Sequence, residues 1–333
     1  MEFPGEKLVL KMWETIAGKG IGSALKPWHE KRLGRAKNEV RKDEILMLAE
    51  AEKLAEDIRA GKVSLAHKRL EYKAETKERI EPIFNTEQLS KIVTDNNIAE
   101  SIRNDVNVNK AVLVAESVLL DEQQPSSNEK VDDDWLHTWR ENAGKVSTSE
   151  LQDLWGRILA GEVKNPGSYS IRTMEFLKGL SKDEAELISK LAKYVIAGNI
   201  IRDKDKFLEA EGIPFGALLF LQEIGVVSGV EALGLSIQLK SVIPEKYLKP
   251  LISNNKALII EHDDPSKILK LGIYQLTHIG KQVLALASFT SNEDYLCSVG
   301  QDIAKQGYTV QFGDWEQLSK DQGRLNNPRA IEA

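Results

Sequence analysis

Several short runs concentrate groups able to do chemistry, and each stops short of a working constellation. Asp132, Asp133 and Asp134 place three carboxylates in a row, the donor type divalent cations prefer. No glycine turn or distal glutamate follows at calcium-loop spacing, so the start of a helix is the better expectation for them. Gly18-Lys19-Gly20-Ile21-Gly22-Ser23 has the glycine content of a phosphate loop, but no strand precedes it and no Gly-Lys-Ser/Thr closes it. Ser253-Asn254-Asn255-Lys256 matches Ser-x-x-Lys, a pattern too short to assign a nucleophile, and His262-Asp263-Asp264 reads as a polar turn. The histidines, His29, His67, His137, His262 and His278, include no pair at helical metal spacing. Cys297 is the sole cysteine, which excludes a disulfide framework and a cysteine-based zinc site, and with no adjacent His or basic residue it reads as buried and inert. The expectation is a non-enzymatic chain: no catalytic residue, no cofactor, no metal ligand.

Binding chemistry is easier to place. Lys31, Arg32, Arg35, Lys37, Arg41 and Lys42 stand against only Glu30 and Glu39, at the start of a long helix expected from Trp28 to Ala60. They are the candidate contacts for an acidic partner, anionic lipid or nucleic acid; a solvated helix face is the plain alternative. Further on, Ile45, Leu48, Ala49, Leu54, Ala55 and Ile58 recur at helical spacing and suggest a coiled-coil arm or oligomer contact, followed after Gly61 by a polar helix to about Arg79. A shorter amphipathic helix, Glu6 to Ala17, gathers Leu8, Val9, Met12, Trp13 and Ile16 for its own domain, a partner or a membrane surface. Net charge is −6, distributed as +4 over 1–80, −8 over 81–150 and −2 over 151–333. Only the N-terminal part is positive, so a general nucleic-acid coat is not expected. No signal peptide is expected, since Lys7, Lys11 and Glu14 interrupt any apolar core near residue 1, and no run reaches the ~18 apolar residues of a membrane span. The expected location is the cytoplasm, with peripheral contact at the inner membrane as the variant.

These segments are held by a central block, Leu151 to Val195. Leu151, Leu154, Trp155, Ile158 and Leu159 share one helix face, with Asp153 and Arg157 paired opposite. Gly156 inside this helix implies close approach of another backbone beside Trp155. Ser147 with Glu150 suggests a capping box, Gly161 a stop and Asn165-Pro166-Gly167 a turn. A second helix is expected from Ser168 to Lys178, with Ile171, Met174 and Leu177 inward, and a third, opened by Ser181 with Glu184, to Val195.

The run Leu154-Trp155-Gly156-Arg157-Ile158-Leu159-Ala160-Gly161-Glu162, then Asn165-Pro166-Gly167-Ser168 and Leu180-Ser181-Lys182-Asp183-Glu184-Ala185, resembles the signature of an uncharacterised bacterial domain-of-unknown-function family. Its layout is similar to that of the Abi-alpha abortive-infection proteins. The resemblance covers most of the chain, specifically in the central block and loosely elsewhere. It implies a cytoplasmic bacterial protein linked to phage defence, with Leu154, Trp155, Gly156, Arg157, Glu162, Pro166 and Gly167 as signature residues and no catalytic residue carried over.

Between 81 and 120, two helices are expected, separated by the turn-rich Asp95-Asn96-Asn97 and Asn104 to Asn109. Residues 121–133 read as an acidic linker. The C-terminal part changes character. Pro214 opens an apolar helix without Lys or Arg, and strands are expected at Leu235–Leu239, Ala257–Glu261 and Ile268–Tyr274. The turn at His262–Ser266 would join the last two as a hairpin wing, and Thr277 would cap a following helix. A helix at about Asn292 to Lys305, a strand at Tyr308 to Phe312 and a disordered tail complete the chain. The predicted class is mainly α: an N-terminal helical arm (1–80), a helical segment (81–120), the linker (121–133), a helical bundle (134–198), a winged-helix-like α+β domain (199–318) and a tail (319–333). Its partner is expected to be a protein or a second copy, with DNA less favoured because the Pro214 helix lacks cations.

Overall fold

The computed structural model describes residues 5–17, 19–21, 37–66, 69–72, 86–122, 127, 129–231, 234–318 and 322–332. The chain divides into two units, Met1–Met174 and Glu175–Ala333. Neither expected bundle boundary, 133/134 or 198/199, coincides with this division.

In the first unit, α1 (Glu6–Ala17) buries Leu8, Val9, Met12, Trp13 and Ile16, the residues its amphipathic pattern gathers. The Trp13 indole N–H donates to Glu116, and the Lys11 ammonium donates to the carbonyl of Ser127. This apolar face is therefore occupied within its own unit. α2 (Lys37–Arg59) takes up most of the expected long helix; Trp28 to Ala36 lie outside the described residues. After Gly61, whose positive φ of 70° ends the helix, the polar helix expected to Arg79 is instead a hairpin over its described part. There β1 (Val63–Ala66) pairs antiparallel with β2 (Arg69–Tyr72). Val63 and Leu65 alternate with Ser64 and Ala66, a period of two that outweighs the surrounding polarity.

A single helix, α3 (Thr86–Leu120), replaces the two expected between 81 and 120. Its asparagines favour turns only when their side chains must bond locally. Here a tertiary pair takes up one of them, Asn107, while the Asn109 amide bonds back to the carbonyl of Asp105 one turn earlier. The Asn107 amide donates to Gly144 O at 2.8 Å and its carbonyl accepts from the Gln152 amide at 3.2 Å. Asn107 is fully buried. α4 (Asp133–Gly144) begins with Asp132 as N-cap, its carboxylate accepting from Trp135 N at 2.9 Å, and Asp133 and Asp134 fill the first turn. The acidic run thus serves the helix N-terminus. α5 (Ser149–Lys164) is capped by Thr148, not by the Ser147/Glu150 box, and passes through Gly161 without stopping. Leu151 and Ile171, expected inward, are exposed. α3 packs along α2 and α5. Ala55, Ile58, Val63 and Ala99 form a small core where α2 meets α3.

α6 (Ile171–Gly179) leads into the second unit. There α7 (Lys182–Ala192) carries the expected capping box complete, Ser181 and Glu184 each accepting the other's backbone N–H. Next come β3 (Asn199–Ile201), α8 (Asp205–Ala210), α9 (Phe215–Glu223) and β4 (Val227–Ser228). They are followed by β5 (Leu235–Leu239), β6 (Tyr247–Ser253), β7 (Lys256–His262) and β8 (Leu269–Leu276). The chain then runs through α10 (His278–Leu284), α11 (Glu293–Ala304), β9 (Thr309–Gln317) and β10 (Gly323–Ile331).

The described strands of this second unit form two antiparallel sheets. β8 pairs with β3, β4 and β5; β7 lies between β6 and β9, with β10 beyond β9. The expected β7–β8 hairpin is therefore absent: the two strands belong to different sheets. Its turn closes on itself, Asp264 N donating to the His262 ring and Ser266 N and Oγ donating to the Asp264 carboxylate, so it needs no paired strands. β6 escaped the sequence because Pro250 interrupts it; on an edge strand proline costs no ladder bond. The expected disordered tail is β10, whose Ile331 pairs with Val310 and touches the position a side chain would take at Gly300. Tyr295 anchors α11: it is fully buried, accepts Ile201 N at 2.8 Å, and stands edge-on to Tyr194 and Phe207.

Candidate functional site

The signature residues of the central block come together, and their work is structural. Glu162 is buried in α5, and its two carboxylate oxygens accept Gly167 N at 2.6 Å and Tyr169 N at 3.0 Å. Gly167 meets the carboxylate with φ 88°, a value glycine adopts freely. Half-buried Pro166 sits between them. Burial pushes the Glu162 carboxyl up from the ordinary range, and nearby Asp132 adds to this. The amides of Gly167, Tyr169 and Ser168 pull the other way without overcoming it. Tyr169 in turn accepts the Trp135 indole N–H on its carbonyl at 2.6 Å, and its ring lies where a side chain at Gly161 would stand. The Trp139 indole donates to Trp155 O at 2.9 Å. Gly156 admits α3: a β-carbon there would stand 2.6 Å from Val114 and 2.8 Å from the carbonyl of Ala111. Leu154 is half-buried, and Arg157 forms an exposed pair with Asp153 at 2.6 Å. The Glu162 carboxylate and the Trp135 and Trp139 indoles face inward and have partners, while Arg157 and Asp153 pair at the surface.

The cationic candidates lie elsewhere. Lys31, Arg32 and Arg35 lie outside the described residues; Lys37, Arg41 and Lys42 lie on the first turns of α2. Among the described residues no group of three or more His, Cys, Asp or Glu is arranged to hold a metal ion, and no helix is long and apolar enough to cross a membrane. Cys297 departs from the expectation of a buried thiol with no basic neighbour. It is half-buried, and β10 brings the Arg329 guanidinium to 3.7 Å from its sulfur, with Arg329 also paired to Glu293 and stacked over Phe312.

A different surface has the form of a binding site. α9 turns Leu218 and Leu221 into the core, both essentially inaccessible, and leaves Phe215 and Phe220 53% and 38% exposed. Phe215, Leu219, Phe220 and Glu223 fall on one helix face by spacing. Beside them lies a depression of about 480 Å³ lined by Gly216, Leu219, Phe220, Gln222, Glu223 and Glu231. Gly216 has nothing within 4 Å of where a side chain would start, so it forms an open floor. Gln222 fixes the rim: its carbonyl accepts Val230 N at 2.7 Å and its amide donates to Glu231 at 3.1 Å. The lining holds two carboxylates and no cation. The sequence signalled the missing cations of this helix but not its exposure. The available clue was a helix apolar on every side, more apolar surface than one buried face can use.

These features describe a helical unit locked by a buried carboxylate, followed by a β-rich unit that presents an aromatic, acidic helix face. Residues 96–209, from within α3 through most of α8, match the model of a family described as "Protein of unknown function (DUF2806)". The match covers about a third of the chain and contains every signature residue. No curated protein and no solved structure matches the chain.

Proposed function

We propose that the chain is a non-enzymatic interaction protein whose β-rich unit is a winged-helix-like module that docks protein. In this reading α8 and α9 are the helix pair, β5 and β8 the wing, and β6 and β7 an excursion from it. The observation that carries the reading is the α9 face: it occupies the recognition-helix position with exposed phenylalanines and carboxylates, and offers phosphate nothing to bind. Lys267, a cation of the expected wing, is turned away. Its ammonium donates to Gln306 O and Gly307 O and rests 4.1 Å from the centre of the Tyr308 ring. A DNA-binding regulator using Lys31 to Lys42 and the wing is the weaker alternative, because the α9 face carries no cation and Lys267 of the wing is engaged within the chain.

The resemblance to Abi-alpha proteins supports a place in bacterial phage defence, in the cytoplasm. The signature block then serves as scaffold, and the Lys31–Lys42 run as a second contact, with an acidic partner or the inner-membrane surface. A photo-crosslinking amino acid in place of Phe220, introduced into the full chain in cells, tests the docking reading: protein adducts are expected, and nucleic-acid adducts overturn it. Plaque counts with and without the gene test the defence reading; equal plating across a phage panel rejects it.

A further inference from the structure

We infer that the α9 face takes a helix of a partner protein, one that carries large aliphatic side chains on one side and lysine or arginine along its flanks. This rests on the reading that α9 docks protein and adds the chemistry of the partner. Shape argues for a helix. The depression has an open floor at Gly216 between Leu219 and Phe220, and side chains one helical turn apart fill such grooves. Its lining includes no strand, so an extended segment would find no backbone ladder there.

Charge argues for the flanks. Glu223 and Glu231 are both exposed at the rim, and Gln222 holds Glu231 in place rather than leaving it to swing free. The face is thus an apolar floor with two carboxylates and no compensating cation among its lining residues. Such a rim attracts a basic ligand and repels phosphate, whether of nucleic acid or of an anionic lipid headgroup. Substrate-type small molecules are poorly served, because the depression is shallow and none of its polar groups is buried at a convergent point.

The test uses three labelled peptides against the full-length chain: an amphipathic Leu/Lys helix, its Leu/Glu counterpart, and a scrambled Leu/Lys sequence. Fluorescence anisotropy should show the amphipathic Leu/Lys helix binding roughly tenfold or more tightly than the other two. Gly216→Trp fills open space and should abolish that preference while circular dichroism stays native. Gly216→Ala should raise the unfolding temperature, confirming that position 216 tolerates a side chain. Glu223→Lys with Glu231→Lys should reverse the preference toward the Leu/Glu helix. An unchanged preference after charge reversal, or unchanged binding in a folded Gly216→Trp chain, overturns the inference. If charge reversal changes nothing while crosslinks from position 220 still capture protein, docking stands and only the basic character of the partner is lost; if a folded Gly216→Trp chain binds as before, the depression is not the seat of the helix.

Discussion

Gly156 of α5 lies against Val114 of α3 with no room for a methyl group between them, since a β-carbon would be 2.6 Å from both Cβ and Cγ1 of the valine. On an exposed helix, alanine in place of glycine gains about 1 kcal/mol. Here overpacking reverses the sign, and Gly156→Ala should destabilise the first unit by about 1–3 kcal/mol in urea unfolding. Adding Val114→Ala removes the Cγ1 contact and should recover part of the loss, the Cβ of residue 114 at 2.6 Å and the Ala111 carbonyl at 2.8 Å keeping the rest. Simple additivity of the two changes would sink this account of the packing.

Glu162→Gln exchanges an acceptor-only group for one whose amide must face the amides of Gly167 and Tyr169. A loss of about 1–3 kcal/mol is expected, from a buried donor left without an acceptor. The pH dependence has a definite sign. Because the folded carboxyl titrates above its unfolded value, the folded chain holds the proton first as pH falls. The group's own contribution to stability therefore declines as pH rises through the window just above the ordinary glutamate range. The gap between wild type and Glu162→Gln should be wider on the acid side of that window than at neutrality. Urea titrations at several pH values read this directly, and a gap that widens toward neutral pH contradicts it.

Lys204, almost wholly buried, donates to Ser298 and pairs with Asp302 at 2.5 Å. Burial pulls the Asp302 carboxyl upward, but Lys204 and then Lys305 outweigh it and hold the group below the usual range. A depressed carboxyl contributes stability above its unfolded pKa and loses it as pH falls through the folded one. Lys204→Met should lower stability at pH 7, and the deficit should shrink as pH drops through and below the ordinary aspartate range. A deficit independent of pH would assign the role of Lys204 to packing of its stem alone.

Removing residues 323–333 should expose β9 and the Gly300 side of α11, lowering the unfolding midpoint of the second unit. In the intact chain, amide exchange at 323–331 should be slow for the residues paired with β9. Uniformly fast exchange there would restore the disordered tail.

What the sequence made legible follows the range of the forces involved. Local signals read correctly: the Ser181/Glu184 box, the Thr277 cap and the amphipathic α1. Each is settled by neighbours within a few residues or by a single periodicity. The errors lie where distant partners decide. Asn107 stays helical because Gly144 and Gln152 satisfy its amide, and Gly161 stays helical because Tyr169 covers it. Cys297 gained its basic neighbour from Arg329, thirty-two positions away. The expected β7–β8 hairpin failed for the same reason, since β8 pairs with β3, β4 and β5 rather than with the adjacent strand. The signature block was visible as sequence, but its inward orientation was not. That orientation moved the candidate site to Phe215, Phe220, Glu223 and Glu231.

Nesting of β6 and β7 between β5 and β8 makes one strand pair wait on another. Leu235 meets Ile273 only after the intervening chain has doubled back, and the tight β6–β7 reversal at Asn254 and Asn255 shortens that journey. Closing the inner loop first reduces the entropy lost in closing the outer one. The inner reversal is thus a clasp: substitutions that loosen it should slow refolding of a strand it never touches.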